Sequence, residues 1–277
     1  MSDRWIRLAV RPSTPEKHVA VSEALFAAGA QGLHEDNEWL VTHLEPATDT
    51  KGYDSAVRRV DAGATLETSD VKAVDWSVTW RDQIGVHHLG DLTVAPPWLA
   101  AGLDPATTII VEPAMAFGTG EHPTTRGVVR LMQAVIRPGD TVADLGSGSA
   151  VLAIAAAKLG ARSVAAIELD HDAISNAEEN VVVNQVSAQV KVIEGDAAVL
   201  LPLVGPVRVV LANIISSVLI ELLPIIATSL APDGRVILSG ILLEERAEML
   251  TALEAQRWRV MNEDHEELWW SVEVARA

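Results

Sequence analysis

The chain has 277 residues, 49% of them apolar and none of them cysteine, which is enough for one large or two modest cores. That composition excludes a disordered chain, and the absence of thiols excludes disulfides, Cys-ligated zinc, iron–sulfur clusters and a thiol nucleophile. Lys and Arg total 21 against 38 Asp and Glu, a formal net charge of −17, so nucleic acid is disfavoured as the main partner, while a basic protein partner or plain solubility both suit the charge.

Residues 1–74 are predicted to form a small βαββαβ unit of ferredoxin-like type. Trp5–Val10 reads as a strand, and Val21, Ala24, Leu25 and Ala28 then repeat at the spacing of one helix face. Gln31–Glu35 and Trp39–Leu44 are strand-like, Pro46–Asp54 is irregular, Ser55–Val60 is helical, and Thr65–Val71 is the last strand. Residues 75–103, with Trp76, Trp80, Pro96, Pro97 and Trp98, read as a connector packed against a larger domain spanning 104–277. There, Thr141–Leu145, Ser163–Glu168, Val190–Glu194, Val207–Ala212 and Gly234–Ser239 are predicted strands with helical stretches between most of them. That alternation calls for a parallel, doubly wound α/β sheet. Trp258–Asn262 and Leu268–Val274 are predicted to close it as an antiparallel hairpin, with acidic Glu263–Glu267 at the turn. The N-terminal stretch lacks the apolar core of a signal peptide, and the apolar run Val209–Ile220 is too short for a membrane span. A cytoplasmic setting is expected.

The most informative stretch is Asp144-Leu145-Gly146-Ser147-Gly148-Ser149-Ala150, between a strand and the apolar helix Val151–Leu159. Its glycines permit a sharp turn and close approach of a ligand to the backbone. A dinucleotide fingerprint fails in register, because Val151 stands three residues after Gly148. The Asp144 carboxylate would repel a pyrophosphate but suits an ammonium-bearing ligand such as S-adenosylmethionine. Glu168, at the end of the next strand, can accept both ribose hydroxyls, or be an ordinary surface acid. Asp196, after the third strand, can accept the adenine amino hydrogens, though acids are common in such loops. Upstream, Phe117-Gly118-Thr119-Gly120 precedes His122-Pro123-Thr124-Thr125, a loop able to cover a cofactor through Thr119 and Thr125. His122 reads either as a base or as a helix cap. At the fourth strand's end, Asn213 and the Ile214 carbonyl can hold the N–H groups of an acceptor amine, aiming its lone pair; Asn213 can equally be a strand-terminating turn residue. No metal site is read.

These stretches, together with Asp75-Trp76, Pro97-Trp98 and Leu238-Ser239-Gly240-Ile241-Leu242, resemble the ribosomal protein L11 methyltransferase family (PrmA). The resemblance implies a class I methyltransferase sheet and S-adenosylmethionine as cofactor, with contacts at Thr125, Gly146, Glu168 and Asn213. It further implies a ferredoxin-like domain that recognises the substrate, and methylation of lysine side chains and the N-terminal amine of L11, up to trimethylation. Ala150 stands for a third glycine of the family turn, Glu168 for its commoner Asp, and Ser216 for a small apolar residue. Candidate cofactor-binding residues are therefore Phe117, Thr119, Thr125, Asp144, Gly146, Gly148, Glu168, Asp196 and Asn213, with Asn213 and Ile214 at the chemistry. The alternatives are methylation of another protein, RNA or a small amine, or an inactive binding module. Residues 1–74 carry 8 basic against 12 acidic residues and the remainder 13 against 26, so neither part has a basic footprint for RNA. No membrane partner is expected.

Overall fold

The computed structural model describes residues 4–30, 32–36, 38–45, 48–72, 84–112, 120 and 122–277. The chain divides into two compact units, Met1–Gln83 and Ile84–Ala277. Asp75, Trp76, Trp80, Phe117, Gly118 and Thr119 lie outside the described residues. Among the described residues, no helix is long and apolar enough to cross a membrane.

The first unit runs β1 (Arg4–Arg11), α1 (His18–Ala27), β2 (His34–Asp36), β3 (Trp39–Leu44), α2 (Lys51–Val60) and β4 (Thr65–Lys72). Its sheet order is β2-β3-β1-β4, antiparallel throughout. This is the split arrangement expected of βαββαβ, with the central pair flanked by the strands that follow each helix. Leu8 and Val10 of β1 meet Val21 and Leu25 of α1 and Tyr53 and Val57 of α2 in its core. Helix α2 starts four residues before the predicted helix. Asp49 Oδ1 accepts the Lys51 N–H at 3.0 Å, and Asp54 pairs with Arg58 one turn on at 2.9 Å, so local polar groups support a polar first turn.

The second unit opens with a three-stranded sheet of β5 (His87–Leu89), β6 (Leu92–Ala95) and β7 (Thr108–Ile110). Part of the stretch read as connector is therefore ordered strand. Then follow α3 (Pro123–Val135), β8 (Thr141–Leu145), α4 (Val151–Lys158), β9 (Ser163–Glu168), α5 (His171–Val183), β10 (Val190–Glu194) and α6 (Ala197–Val204). The unit ends with β11 (Val207–Asn213), α7 (Ser216–Ser229), β12 (Leu230–Leu242), α8 (Arg246–Ala255), β13 (Trp258–Glu266) and β14 (Trp269–Arg276). The strand order is β10-β9-β8-β11-β12-β14-β13. The first five strands are parallel, and β14 is antiparallel to both its neighbours. Alternate residues feed two cores. Val142, Val209 and Leu211 pack towards α3, α4 and α5, whereas Ala143, Val210 and Ala212 pack towards α6, α7 and α8, as a sheet covered on both faces requires.

The acidic stretch predicted at the hairpin turn is mostly strand, and only Glu267 and Leu268 turn. The cause is a set of cations on neighbouring helices. Arg130 of α3 pairs with Asp264 at 2.6 Å and Glu266 at 2.8 Å, Arg126 with Glu266 at 2.5 Å, and Arg246 with Glu263 at 2.7 Å. The Arg130–Asp264 pair is half-buried and bidentate, and together the pairs satisfy acids that would otherwise repel one another along β13.

A second polar seam runs along α5. Asn180 Oδ1 accepts the Glu112 N–H at 2.9 Å, and its Nδ2 donates to the Ser149 carbonyl at 3.1 Å. Asn184, just past the helix, accepts from the Ile110 N–H at 2.8 Å and donates to the Ile110 carbonyl at 2.5 Å. These amides replace the strand partner that residues 110–112 lack on that side, one helical turn apart. Asn184→Ala should lower the unfolding free energy by roughly 2–3 kcal/mol through the orphaned backbone groups, measured by denaturant titration, and an unchanged midpoint would show the seam to be passive.

Candidate active site

The strand register brings the predicted site residues into one row. Leu145 of β8 is level with Ala212 of β11 and with Ile167 of β9. The next residues, Glu168, Gly146 and Asn213, therefore stand side by side, with Ser239 level with Asn213 on β12. Strand order reverses between β8 and β11, so their connections leave in opposite directions and a crevice opens at the carboxyl ends. A cleft of about 480 Å³ lies there, within the range of cofactor sites.

Gly146, Gly148 and Ala150 all have positive φ, at 67°, 51° and 63°. The turn is thus wound left-handed at three positions, which Ala tolerates at a cost glycine avoids. The Gly146 and Ser147 N–H groups donate to the Ile167 carbonyl at 2.9 and 3.1 Å. A Cβ on Gly146 would come within 2.6 Å of the Ile214 side chain, and one on Gly240 within 2.5 Å of the Ile214 carbonyl oxygen. Ile214 is held between two glycines, one on each side of the cleft floor.

Glu168 receives the Gly148 N–H on Oε2 at 2.7 Å and the Asp170 N–H on Oε1 at 2.9 Å. Each oxygen keeps lone-pair capacity, and the side chain lines the cleft. On the opposite side, Asn213 Nδ2 donates to Thr125 Oγ1 at 3.4 Å. This contact orients the amide and leaves its carbonyl oxygen to accept from a ligand. Thr125 itself is fully buried at the first turn of α3.

His122 is the cap of α3. Its Nδ1 accepts the Thr124 N–H at 3.4 Å and lies 2.8 Å from Thr124 Oγ1, while its ring meets Trp269 edge-on at 4.9 Å between centroids. Burial, and then the nearby Arg126 charge, hold its pKa below the ordinary value. The neutral imidazole this favours is the form a cap needs, so the cap reading prevails over the base reading.

Two of the predicted contact residues bond elsewhere within the protein. Asp144 is fully buried beneath the turn and does not line the cleft; its Oδ2 accepts the Ala153 N–H at 3.0 Å. Burial pushes its carboxyl up to about 7, against the pull of the Ala153 N–H and with a further push from the Glu168 charge. Asp196 caps α6 through the Ala198 N–H at 2.8 Å and lies outside the cleft lining, because an acid at a strand-to-helix junction satisfies the helix N-terminus first. Ser216 turns away too, donating to Glu245 Oε1 at 2.8 Å. Lining residues to which the sequence assigns no role include Ile215, Val218 and Trp269. Their only signal in the sequence was apolar side chains at a helix start and a hairpin turn, where polar residues are usual.

The cleft suits a cationic nucleoside. Among the described residues, Ser147 Oγ, in the lining, and Asp144 Oδ1, beneath it, are buried without a hydrogen-bond partner. The Gly146 turn leaves room that a side chain would fill, and Glu168 supplies an acceptor pair. The raised Asp144 pKa has a further consequence. The neutral carboxyl is the form burial favours, so its contribution to stability is full below about pH 4 and lost as pH rises to about 7. Asp144→Asn should therefore gain in unfolding free energy relative to the native chain as pH is raised from about 5 to about 8, by an amount on the order of a few kcal/mol at most, read by denaturant titration at each pH. A pH-independent difference would contradict the burial argument.

Comparison with known proteins agrees with this geometry. Residues 44–277 match the family described as Ribosomal protein L11 methyltransferase (PrmA). A ribosomal protein L11 methyltransferase of Chloroflexus aurantiacus is 37% identical, covering 91% of this chain and 92% of the relative. One of Lacticaseibacillus paracasei is 32% identical over 90% and 91%. The crystal structure of a ribosomal protein L11 methylase from Lactobacillus delbrueckii subsp. bulgaricus superposes with a TM-score of 0.61 at 31% identity, covering 69% of this chain and 98% of that one. The chain belongs to the ribosomal protein L11 methyltransferase (PrmA) family and is a methyltransferase.

Proposed function

We propose that this chain transfers methyl groups from S-adenosylmethionine to amines of ribosomal protein L11, lysine side chains and the N-terminal amine, in the cytoplasm. The observation that carries the reading is the single row Glu168, Gly146 and Asn213 along one cleft. S-adenosylmethionine supplies an electrophilic methyl carbon on a sulfonium. Glu168 holds the ribose hydroxyls, its position fixed by the Gly148 and Asp170 N–H groups. Gly146 and Gly148 let the backbone approach the cofactor, and buried Ser147 Oγ offers it a polar partner. The Asn213 carbonyl oxygen, oriented by Thr125, and the Ile214 carbonyl accept the amine N–H groups and aim the lone pair. Phe117 and Thr119 belong to the same cofactor assignment through the glycine-rich sequence that precedes His122. The first unit, residues 1–74 in this assignment, recognises the substrate.

A neutral amide beside the amine matters because a carboxylate there would stabilise the unreactive ammonium form. No dedicated base is required by this scheme, and positioning supplies the rate. Asn213→Ala should lower the methyl-transfer rate on L11 about a hundredfold while cofactor affinity changes by no more than a few fold; equal loss of both would assign the residue to the cofactor. Glu168→Ala should weaken cofactor binding by about 1.5–3 kcal/mol, read by calorimetry, and Glu168→Gln should recover part of it by again accepting the Gly148 N–H. Unaltered affinity in Glu168→Ala would remove the ribose assignment.

A further inference from the structure

The mouth of the cleft is apolar where a water-filled entrance would be polar. Ile215 is 65% exposed and Val218 is 37% exposed, and both line the cleft, at the cap and in the first turn of α7. The strip continues across the sheet ends. Ser216 Oγ is bound to Glu245, which also accepts the Leu242 N–H at 2.9 Å, so the start of α7 is stapled to the Leu243–Glu245 turn. The Leu243 N–H in turn donates to the Leu268 carbonyl at 2.8 Å. Leu268 stands 70% exposed at the hairpin tip, next to Trp269, which lines the cleft. A two-residue hairpin turn favours Gly, Asn or Asp, and neither the fold nor any core uses a leucine there.

Acids flank the strip. Glu244 adjoins Leu243, Glu267 adjoins Leu268, and Glu221 lies one helical turn beyond Val218. All three are exposed. The cation closest in sequence, Arg246, is already taken by Glu263. A contiguous apolar patch rimmed by charge of one sign marks an interaction surface for a partner of the opposite sign.

We propose that this ledge docks an apolar and basic segment of the methyl-accepting protein, holding leucine-like side chains on Leu243 and Leu268 and feeding an adjacent lysine past Ile215 and Val218 into the cleft. The inference rests on the reading of L11 as substrate and extends it, since recognition is then shared by the catalytic unit rather than confined to residues 1–74. The apolar strip accounts for the methylene stem of lysine, and the acids for neighbouring positive charge on the segment.

The test uses the full chain, recombinant L11 and labelled S-adenosylmethionine. Leu243→Glu/Leu268→Glu should raise KM for L11 tenfold or more while cofactor affinity, which reports the folded cleft, stays unchanged. Glu244→Lys/Glu267→Lys should lower kcat/KM for L11 at low ionic strength, the effect shrinking as salt screens it. If the native chain methylates L11 and both variants keep its KM and salt response, the ledge is overturned while the substrate assignment stands. Native label appearing only on RNA or a small amine would overturn both.

Discussion

Everything at the site depends on where the parallel strands end. A sheet wound outwards from its centre must reverse direction once, and here the reversal falls between β8 and β11. Because Leu145 is level with both Ile167 and Ala212, three residues from distant parts of the chain leave the sheet at one height. A slip of one residue in either pairing would turn Glu168 or Asn213 to the opposite face. The apolar alternation of β11, with Val209 and Leu211 on one side and Val210 and Ala212 on the other, penalises such a slip by burial. The two cores thus hold the functional register, and Val151 and Leu152 of one of them also line the cleft.

The second constraint is steric. Ile214 occupies the space that side chains at 146 and 240 would need, which ties the turn after β8, the end of β11 and the end of β12 into one contact. A buried chain reinforces it: Ser239 Oγ donates to the Thr124 carbonyl at 3.2 Å and lies 2.7 Å from Ser271 Oγ. The start of α3, which carries Thr125, is thereby referenced to the same strands as Asn213.

Much of this was legible in the sequence because it is local. Strand runs rich in Val and Ile, the glycine turn, and acids or amides at strand ends are signals within a few residues, and Glu168, Gly146, Gly148 and Asn213 fall where those signals put them. What escaped depends on how the neighbouring backbone folds over a residue, or on partners far along the chain. Nothing near Asp144 reveals that the Ala153 N–H and the turn above will bury it. Asp196 looks like a ligand group until the adjoining helix claims it. The acids of β13 read as a turn because their cations, Arg126 and Arg130, lie more than a hundred residues earlier. The amides at 180 and 184 gave no signal at all, since each binds a backbone segment some seventy residues away.

The placement of charge follows the same logic. Glu168 and Asn213 are separated by the end of β8, so about two strand spacings, roughly 10 Å, lie between the carboxylate and the amide. A carboxylate at the ribose end adds affinity for a cationic cofactor, yet at that distance it does little to keep an incoming amine protonated. The closer carboxyl, Asp144, is buried, and its pKa near neutrality leaves it largely uncharged until the pH reaches about 7. A cationic ligand above it would favour its ionised form, so binding of the cofactor and deprotonation of Asp144 reinforce each other, each lowering the cost of the other. In the proposed scheme the amine, held by neutral acceptors and facing a sulfonium, would lose its proton more readily than in water. Under the proposed function, separation of the acidic and neutral ends of one row would let the cleft bind a cation while keeping its second substrate in the uncharged form that reacts.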